Sequence, residues 1–182
     1  MAEYGEVRGS DSSWRLYGKV GGPGGIWMLA DLTTLSESPS VPPGFRIERV
    51  GDRTQLEQWA LINTEGFGGD YHQIIYDAFV RCGFGRDADL LNYVGFVADK
   101  PVTSATLFLA GGIASIYNVS TPESLRRQGF GGAITHSVLQ EAPGRGYQKA
   151  FIQSSQLGRG VYGNLGFAIR DFGIREYQWQ KK

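Results

Sequence analysis

The sequence has very few of the residues that build disulfides, metal sites and charge-relay triads. It contains one cysteine, Cys82, and two histidines, His72 and His136, among 182 residues. A single cysteine cannot form an intramolecular disulfide or a cysteine-rich metal site. The two histidines lie far apart in the chain, which gives poor support to a zinc site or a Ser-His-Asp triad. We therefore expect no metal in this protein.

The chain also lacks an excess of charge and any long apolar run. Lys and Arg total 18, Asp and Glu total 18, and the formal net charge is zero. Proteins that bind nucleic acid usually carry a basic excess, and a membrane span needs about 20 apolar residues. Residues 1–6 are acidic and lack the apolar core of a signal peptide. We therefore expect a cytoplasmic protein with neither a nucleic-acid nor a membrane partner.

The first 43 residues differ in character from the rest. Apolar and polar residues alternate over residues 14–20, and residues 26–29 form an apolar run. The glycine-rich stretch at residues 21–25 separates them, so we predict a hairpin. Pro and Ser dominate residues 36–43, which we interpret as a linker. The predicted organisation is an N-terminal extension, residues 1–43, followed by one domain, residues 44–182.

Two helices are predicted in the first part of that domain. Asp52 and Gln55 form a capping-box pattern, and the residues that follow at helical spacing are Leu56, Trp59, Ala60 and Asn63. Asp70 and Gln73 repeat the capping pattern before a second apolar stripe, which ends at Gly83. Cys82 lies on that stripe, so we interpret it as a core residue and not as a nucleophile.

The rest of the chain mixes strands and helices. A strand is predicted at residues 45–50, and three more at residues 93–98, 102–109 and 113–119 are joined by short turns. Short turns make consecutive strands antiparallel neighbours. A helix is predicted from Gly129 to the Pro143-Gly144 pair, followed by a strand at 150–152, a short helix at 161–165 and a last strand at 174–179.

The most informative segment joins the strand at 113–119 to the helix at Gly129. Its loop carries Arg126 and Arg127, and Gly129, Gly131 and Gly132 open the helix. Glycines let backbone N–H groups approach a ligand closely, and a helix N-terminus carries free donors and partial positive charge. The two arginines can add direct phosphate contacts. This combination predicts a pyrophosphate site that needs no metal.

A second motif follows one strand-helix-strand unit later. Arg126-x-x-Gly129-x-Gly131 resembles the acyl-CoA motif of the GNAT N-acetyltransferases, and Tyr162-x-x-Leu165-Gly166-Phe167 resembles their later tyrosine motif. The resemblance covers roughly residues 45–179. It implies an α+β (mixed α/β) fold, the GNAT acyl-CoA N-acyltransferase fold. In this fold a mixed, mostly antiparallel sheet is flanked by helices.

The resemblance also implies a reaction and a set of site residues. Acetyl-CoA is the implied co-substrate, and a primary amine attacks its thioester directly, with no covalent enzyme intermediate. Tyr162 is implied as the general acid that protonates the departing thiolate. Pantetheine would pair with the backbone of Asn118, Val119 and Ser120. The pyrophosphate would lie over the loop and helix start, for which the implied residues are Arg126, Arg127, Gln128, Gly129, Phe130, Gly131 and Gly132.

The sequence departs from the family pattern in three ways, one of which is that the loop at residues 119–126 is about two residues longer than usual. The strand before the first motif carries Tyr117 but no carboxylate, so the general base is unassigned. Tyr117 is the preferred candidate for shaping the amine site, with Glu65 and Asp70 as weaker candidates for the base. Ser155 stands where the family usually has asparagine, and a serine can still hydrogen-bond the cofactor with a shorter reach.

These departures leave three readings open. The first is an active acetyltransferase with an unidentified amine acceptor. The second is a protein of GNAT fold that binds acyl-CoA without turnover and serves regulation or interaction. The third is an interaction protein in which the tryptophan-containing N-terminal hairpin forms the surface of a homodimer; the same hairpin would otherwise cover the core.

Overall fold

The computed structural model describes residues 26–85 and 88–172 in full, together with the backbone of three strands outside those ranges. Those three strands are β1 (Tyr4–Arg8), β2 (Arg15–Val20) and β10 (Tyr177–Trp179). The other strands are β3 (Ile26–Asp31), β4 (Arg46–Arg49), β5 (Leu90–Val97), β6 (Lys100–Ala110), β7 (Ile113–Ser120), β8 (Lys149–Ser154) and β9 (Ala168–Ile169). The α-helices are α1 (Arg53–Phe67), α2 (His72–Cys82), α3 (Phe130–Leu139) and α4 (Arg159–Asn164).

Seven strands form one mixed sheet in the order β4-β5-β6-β7-β8-β3-β9. Every neighbouring pair in this sheet is antiparallel except β7 and β8, which are parallel. The predicted meander is confirmed, because β5, β6 and β7 are consecutive antiparallel neighbours. The predicted α+β class, with a mixed and mostly antiparallel sheet, is confirmed as well.

The first predicted helix is confirmed together with its cap. An Asp52 carboxylate oxygen accepts from the Gln55 backbone N–H at 2.8 Å, and the Gln55 side chain accepts from the Gly51 N–H at 2.7 Å. Capping therefore satisfies two backbone donors that an open helix end would leave unpaired. Trp59 is fully buried, and its indole N–H donates to the Ala105 carbonyl at 3.2 Å. This bond ties α1 to the middle of β6.

The second helix differs from its prediction at both ends. α2 begins at His72, its N-cap is Tyr71 without a side-chain cap bond, and the Asp70 side chain is 99% exposed. The predicted Asp70–Gln73 cap is therefore wrong. Cys82 is exposed, so its assignment to the core is also wrong. The face that packs on α1 and the sheet is formed instead by Ile75, Tyr76, Phe79 and Val80.

Two apolar clusters cover the two faces of the sheet. On one face, residues of α1 and α2 pack against Val94 and Phe96 of β5. On the other face, α3 packs against the alternate residues of β5, β6 and β7, a cluster that includes Ile134, Val138, Leu91, Leu107 and Ile116. This alternation follows from the two-residue period of a strand. The sheet is thus covered by α1 and α2 on one side and by α3 on the other.

The N-terminal strands do not form the predicted hairpin. β3 lies between β8 and β9 in the seven-stranded sheet, whereas β2 pairs with β1 and β10 in a separate three-stranded sheet. The two strands are present as predicted, but they belong to different sheets. Met28 and Ala30 of β3 are buried, because they lie on the face that α3 covers. Of the predicted last strand, residues 174–176 lie outside the described chain.

The Pro- and Ser-rich segment is packed against the domain. The Ser36 N–H donates to the Leu165 carbonyl at 3.2 Å, and the Pro39 ring lies against Gly132 of α3. The residue 43/44 boundary stays a prediction, although β3 on its N-terminal side belongs to the main sheet. Within the described ranges, no helix combines the length and the apolar character that crossing a membrane requires.

Candidate functional site

The main sheet opens between β7 and β8. These strands pair only over residues 114–116 and 150–152, although both continue beyond that point. β7 also contains a β-bulge. Ser104 and Thr106 of β6 are two residues apart, but their partners in β7, Ser120 and Tyr117, are three residues apart, so β7 has one extra residue here. Asn118 lies in the bulge with a positive φ of 54°. The bulge re-aims the end of β7 at the point where this strand no longer pairs with β8.

A buried polar network holds the bulge. The Asn118 carbonyl accepts from Asn63 Nδ2 of α1 at 3.2 Å and from Ser104 Oγ of β6 at 3.0 Å. The Asn118 side-chain amide donates to Thr106 Oγ1 at 3.2 Å, and that hydroxyl donates to Asn92 Oδ1 at 2.7 Å. Asn92 Nδ2 is buried without a partner, which normally costs about 1–3 kcal/mol.

The N-terminus of α3 is open to a ligand. Gly129 is its N-cap, with a left-handed backbone and no side-chain capping bond. The first intrahelical bond runs from the Ala133 N–H to the Gly129 carbonyl at 2.9 Å. The N–H groups of Phe130, Gly131 and Gly132 precede that bond and have no intrahelical acceptor. Unlike the capped α1, this helix end offers donors and partial positive charge to an anion.

The two arginines of the first motif have different surroundings. Arg126 donates from Nε to the Thr121 carbonyl at 3.1 Å and from Nη2 to the Gly66 carbonyl at 3.0 Å. It therefore ties the loop to the end of α1. Arg127 is exposed, has a positive φ of 66°, and makes no ion pair or hydrogen bond with any described residue. Strained backbone at a non-glycine residue is typical of functional sites.

The three motif glycines also differ. A Cβ on Gly129 would collide with the Ser40 carbonyl oxygen, and one on Gly132 would lie 2.8 Å from the Pro39 ring. Packing of the segment at residues 36–43 therefore accounts for both glycines. A Cβ on Gly131 would meet only Thr121 and Val119 atoms at 3.8 Å, which is ordinary contact. Protein packing therefore does not require a glycine at position 131, and close approach of a ligand explains this glycine better.

These features line one cleft of about 950 Å³. One wall is the loop and first turn of α3, from Arg126 to Gly132, with Gln128 absent from the lining. The opposite wall comes from Leu157 and from Val161 of α4, and Glu37 and Pro39 close one side. The volume lies within the range of sites for small molecules and cofactors. An anion in this cleft would face α3 N–H groups and the unpaired Arg127.

Tyr162 of the second motif lies in the core at the edge of α4. It is 7% exposed, and its ring meets Phe167 edge-on at 6.1 Å. Burial raises the pKa of the Tyr162 phenol above its ordinary value, because the phenolate would be poorly solvated. Its hydroxyl makes no hydrogen bond with the described part of the chain. The phenol is therefore protonated at neutral pH and has its hydrogen-bonding capacity free.

The remaining predicted site residues lie at the open end of β7 and β8. Ser120 is buried, and its hydroxyl donates to the Asn63 carbonyl at 2.9 Å, which joins β7 to α1. Ser155 Oγ accepts from the Gly158 N–H at 3.1 Å and so supports the turn into α4. Tyr117 is 41% exposed and stands opposite Thr106 on the face covered by α1. Glu65 and Asp70, the candidates for the base, are exposed.

Sequence reasoning missed the polar residues beneath the bulge. The sequence pattern places Asn63 on a helix face and predicts no role for Asn92, Ser104 and Thr106. A signal was available in the run of polar residues Thr103, Ser104 and Thr106 within an otherwise apolar strand. These residues are all fully buried, which an amphipathic strand would not predict for adjacent positions.

A second cavity of about 690 Å³ lies away from the motifs, beside β4 and the end of α3. Its main polar groups satisfy each other. The Glu141 carboxylate pairs with Arg49 and accepts from the Tyr93 hydroxyl at 2.8 Å. Burial and Glu141 raise the pKa of Tyr93, which keeps that phenol a donor. This arrangement is a closed structural network.

Solved structures similar to this one include GCN5-related N-acetyltransferases and other acetyltransferases. One, a GCN5-related N-acetyltransferase from Kribbella flavida, is 22% identical with a TM-score of 0.60, and the match covers 80% of this chain and 54% of that one. A predicted acetyltransferase with acetyl-CoA from Clostridium acetobutylicum is 16% identical with a TM-score of 0.58, covering 70% and 92%. An aminoglycoside acetyltransferase from an uncultured soil metagenomic sample, in complex with sisomicin, is 16% identical with a TM-score of 0.52, covering 66% and 84%.

No family model matches the sequence, and no sequence match was found among curated proteins. This chain spans only about half the length of the Kribbella flavida protein. The mixed seven-stranded sheet with helices on both faces defines an α+β protein whose sheet opens between two parallel strands. That architecture is the GNAT fold, and the fold implied by the two sequence motifs is confirmed.

Proposed function

We propose that this protein is an acyl-CoA-dependent N-acetyltransferase. Acetyl-CoA is the donor, and a primary amine is the acceptor. One observation carries the proposal: an uncapped helix N-terminus and an unpaired arginine line a cleft beside the point where β7 and β8 separate. A pyrophosphate fits the N–H groups of α3 and the Arg127 guanidinium, since both favour anions.

The pantetheine arm and the thioester would lie in the gap between β7 and β8. Beyond residues 116 and 152 the facing edges of these strands no longer pair with each other. The backbone of Asn118, Val119 and Ser120 can therefore pair with an extended ligand, as a missing strand would. Gly131, which lines the cleft, lies within van der Waals reach of Val119 of β7, so the cleft is adjacent to this gap. One ligand with an extended arm and a phosphate group would occupy both.

Tyr162 is assigned as the general acid. The amine attacks the thioester carbon, the carbon–sulfur bond breaks, and the Tyr162 hydroxyl gives its proton to the departing thiolate sulfur. The raised pKa of Tyr162 keeps the phenol protonated before the reaction. The thiolate leaves into the same poorly solvated region, where its own proton affinity is also raised. The phenol regains its proton from solvent as the products leave.

The attacking amine must lose a proton, because a free alkylamine has a pKa of about 10 and is mostly protonated at neutral pH. The buried groups near Tyr117 are the amides of Asn92 and Asn118 and the hydroxyl of Thr106, with no carboxylate among them in the described network. These groups can orient water but cannot hold the proton. Water carrying the proton to solvent is therefore the assigned route, and Tyr117 shapes the amine site.

The polar network beside Tyr117 contains no carboxylate from the described residues, and this also favours a second candidate function. A protein with this cleft can bind acyl-CoA without catalysing transfer and act as a regulatory or interaction module. Both candidate functions use the cleft. They differ in the role of Tyr162, because a general acid is needed for transfer of the acyl group but not for binding of acyl-CoA. A homodimer formed through the N-terminal residues stays a prediction. Trp27 is not a free surface residue, because it stacks on Phe151 at 5.3 Å.

A thiol-release assay with the Tyr162→Phe variant tests the proposal. The wild type is incubated with acetyl-CoA and a panel of primary amines that includes aminoglycosides, polyamines and peptide N-termini. We expect amine-dependent release of free thiol, and a kcat about 100-fold lower in the variant, the usual scale for removing a general acid. Phenylalanine keeps the buried ring, so the melting temperature should barely change. Equal activity of the two proteins would remove Tyr162 from the reaction.

A further inference from the structure

The carbonyl of the peptide between Asn118 and Val119 is held by two side chains. That oxygen accepts from Asn63 Nδ2 at 3.2 Å and from Ser104 Oγ at 3.0 Å, so it points toward α1 and β6. No described peptide bond is cis. In a trans peptide the C=O and the N–H point in opposite directions. The Val119 N–H is therefore turned away from α1 and β6, toward the side where β8 no longer pairs with β7.

The two donors are themselves held in place. Asn63 is 1% exposed and Ser104 is 0% exposed. Asn63 Nδ2 also donates to Ser104 Oγ at 3.4 Å. The two amide protons of Asn63 thus go to the Ser104 hydroxyl oxygen and the Asn118 carbonyl, and the Ser104 hydroxyl proton goes to the same carbonyl. Asn118 is fixed in its left-handed conformation by the bond to Thr106. The direction of the Val119 N–H is thus set by buried side chains.

We propose that Asn63 and Ser104 are positioning residues that aim the Val119 N–H at the thioester carbonyl oxygen of the bound acyl-CoA. The proposal rests on the proposed function. When the amine attacks, the carbon–nitrogen bond forms and the carbonyl π electrons move onto that oxygen. A donor aimed there before the reaction stabilises this charge without reorganisation. Neither side chain touches the substrate; each acts through the Asn118 carbonyl.

A neighbouring contact offers a matched control. Trp59, like Asn63, is a buried α1 residue whose side chain donates to β6, in its case to the Ala105 carbonyl at 3.2 Å. It makes no hydrogen bond to the bulge. Trp59→Phe removes one buried hydrogen bond from this region, and Ser104→Ala removes the two that its hydroxyl makes with Asn63 and the Asn118 carbonyl. Only Ser104→Ala alters the support of the Val119 peptide.

The test compares wild type, Ser104→Ala, Asn63→Ala and Trp59→Phe. We expect kcat to fall about tenfold or more in Ser104→Ala and Asn63→Ala, with KM for acetyl-CoA changed less than twofold, because the oxygen gains its charge only in the transition state. Trp59→Phe should lower the melting temperature and keep kcat within about twofold of wild type. An unchanged kcat in Ser104→Ala, or an equal loss in Trp59→Phe, would overturn the assignment.

A binding measurement separates this proposal from the proposed function. The Val119 amide is followed by ¹⁵N NMR during titration with CoA, which lacks the thioester carbonyl, and with acetyl-CoA. We expect an additional downfield proton shift with acetyl-CoA that is smaller in Ser104→Ala, even if the protein does not turn over. No response of the wild type to either ligand overturns both proposals. Identical responses to the two ligands in a wild type that binds both overturn the positioning role alone.

Discussion

At the scale of single residues, the three glycines at the start of α3 illustrate how one motif combines different duties. Gly129 has a φ of 86° and lies against the Ser40 carbonyl, whereas Gly132 lies against Pro39. Gly131 has room for a methyl group on its own side of the cleft. The same substitution should therefore have opposite consequences at Gly129 and Gly131.

We expect Gly129→Ala to lower the free energy of unfolding by at least about 1 kcal/mol, because a Cβ is disfavoured in the left-handed region and meets the Ser40 carbonyl. Gly131→Ala should leave stability unchanged or raise it slightly, since alanine favours a helix more than glycine does. It should still weaken acetyl-CoA binding by about tenfold, equivalent to 1.4 kcal/mol, because the methyl group enters the cleft. Urea denaturation and calorimetric titration of both variants provide the measurements. Normal affinity in a folded Gly131→Ala protein would refute its role.

The sequence predicted which residue types gather at this site but not what each one touches. Arg126 and Arg127 are adjacent and chemically identical. Arg126 is nevertheless bonded to the carbonyls of Thr121 and Gly66, while Arg127 pairs with none of the described residues. That difference depends on the left-handed backbone at Arg127 and on a contact 60 residues away in the chain. Neither can be read from local spacing.

At the scale of secondary-structure elements, local signals were reliable where a cap was satisfied by its own neighbours. Asp52 and Gln55 lie within one turn of each other, and their cap is present as predicted. Asp70 and Gln73 have the same spacing, but α1 ends at Gly68 in the left-handed conformation and α2 begins only after Tyr71. The turn between the helices leaves Asp70 in solvent, where its ion pair with His72 is long at 3.7 Å.

The end of β3 carries a titratable contact that makes stability depend on pH. The Asp31 carboxylate accepts from the Thr33 hydroxyl and N–H at 2.7 and 2.9 Å and from Lys149 of β8 at 3.1 Å. These hydrogen bonds lower the pKa of Asp31 from 3.8 to about 2. A lowered pKa means that the native state holds the charged form more strongly than the unfolded state does. The contribution of the charged Asp31 to the stability of the fold is complete above about pH 4 and is lost as the pH falls toward 2.

Asp31→Asn should therefore be less stable than wild type at pH 5, and the difference should shrink as the pH falls from 4 to 2. Urea midpoints of the two proteins between pH 5 and pH 2.5 measure this trend. Glu37→Gln removes a carboxylate that makes no ion pair or hydrogen bond with the described residues, and it serves as the control for a general change in charge. A difference between wild type and Asp31→Asn that stays constant over this range would contradict the assigned contact.

At the scale of the whole molecule, the N-terminal strand β3 is an internal strand of the main sheet. It pairs with β8 over six positions and with β9 over two, and it buries Met28 and Ala30. The sequence predicted the strand itself, since its apolar run is a local signal. Its partners could not be predicted, because β8 and β9 lie more than 100 residues further along the chain.

Two truncations test this placement of β3. Removal of residues 1–34 should abolish cooperative unfolding, because β8 and β9 lose their common neighbour and the core loses buried side chains worth about 1.5–3 kcal/mol each. Removal of residues 1–20 keeps β3 and should leave a cooperative transition. Circular dichroism during heating distinguishes the outcomes. A cooperative, wild-type-like transition after removal of residues 1–34 would contradict the observed sheet order.

The central claim is that the cleft at the start of α3 binds acyl-CoA through its phosphates, and calorimetric titration with acetyl-CoA tests it most directly. The wild type should bind saturably with a micromolar Kd, and Arg127→Ala should weaken binding about tenfold through loss of a charge-assisted contact. Arg53→Ala, which removes an exposed arginine outside the cleft, should bind like wild type. Absence of binding to the folded wild type, or equal weakening by both substitutions, would contradict the account.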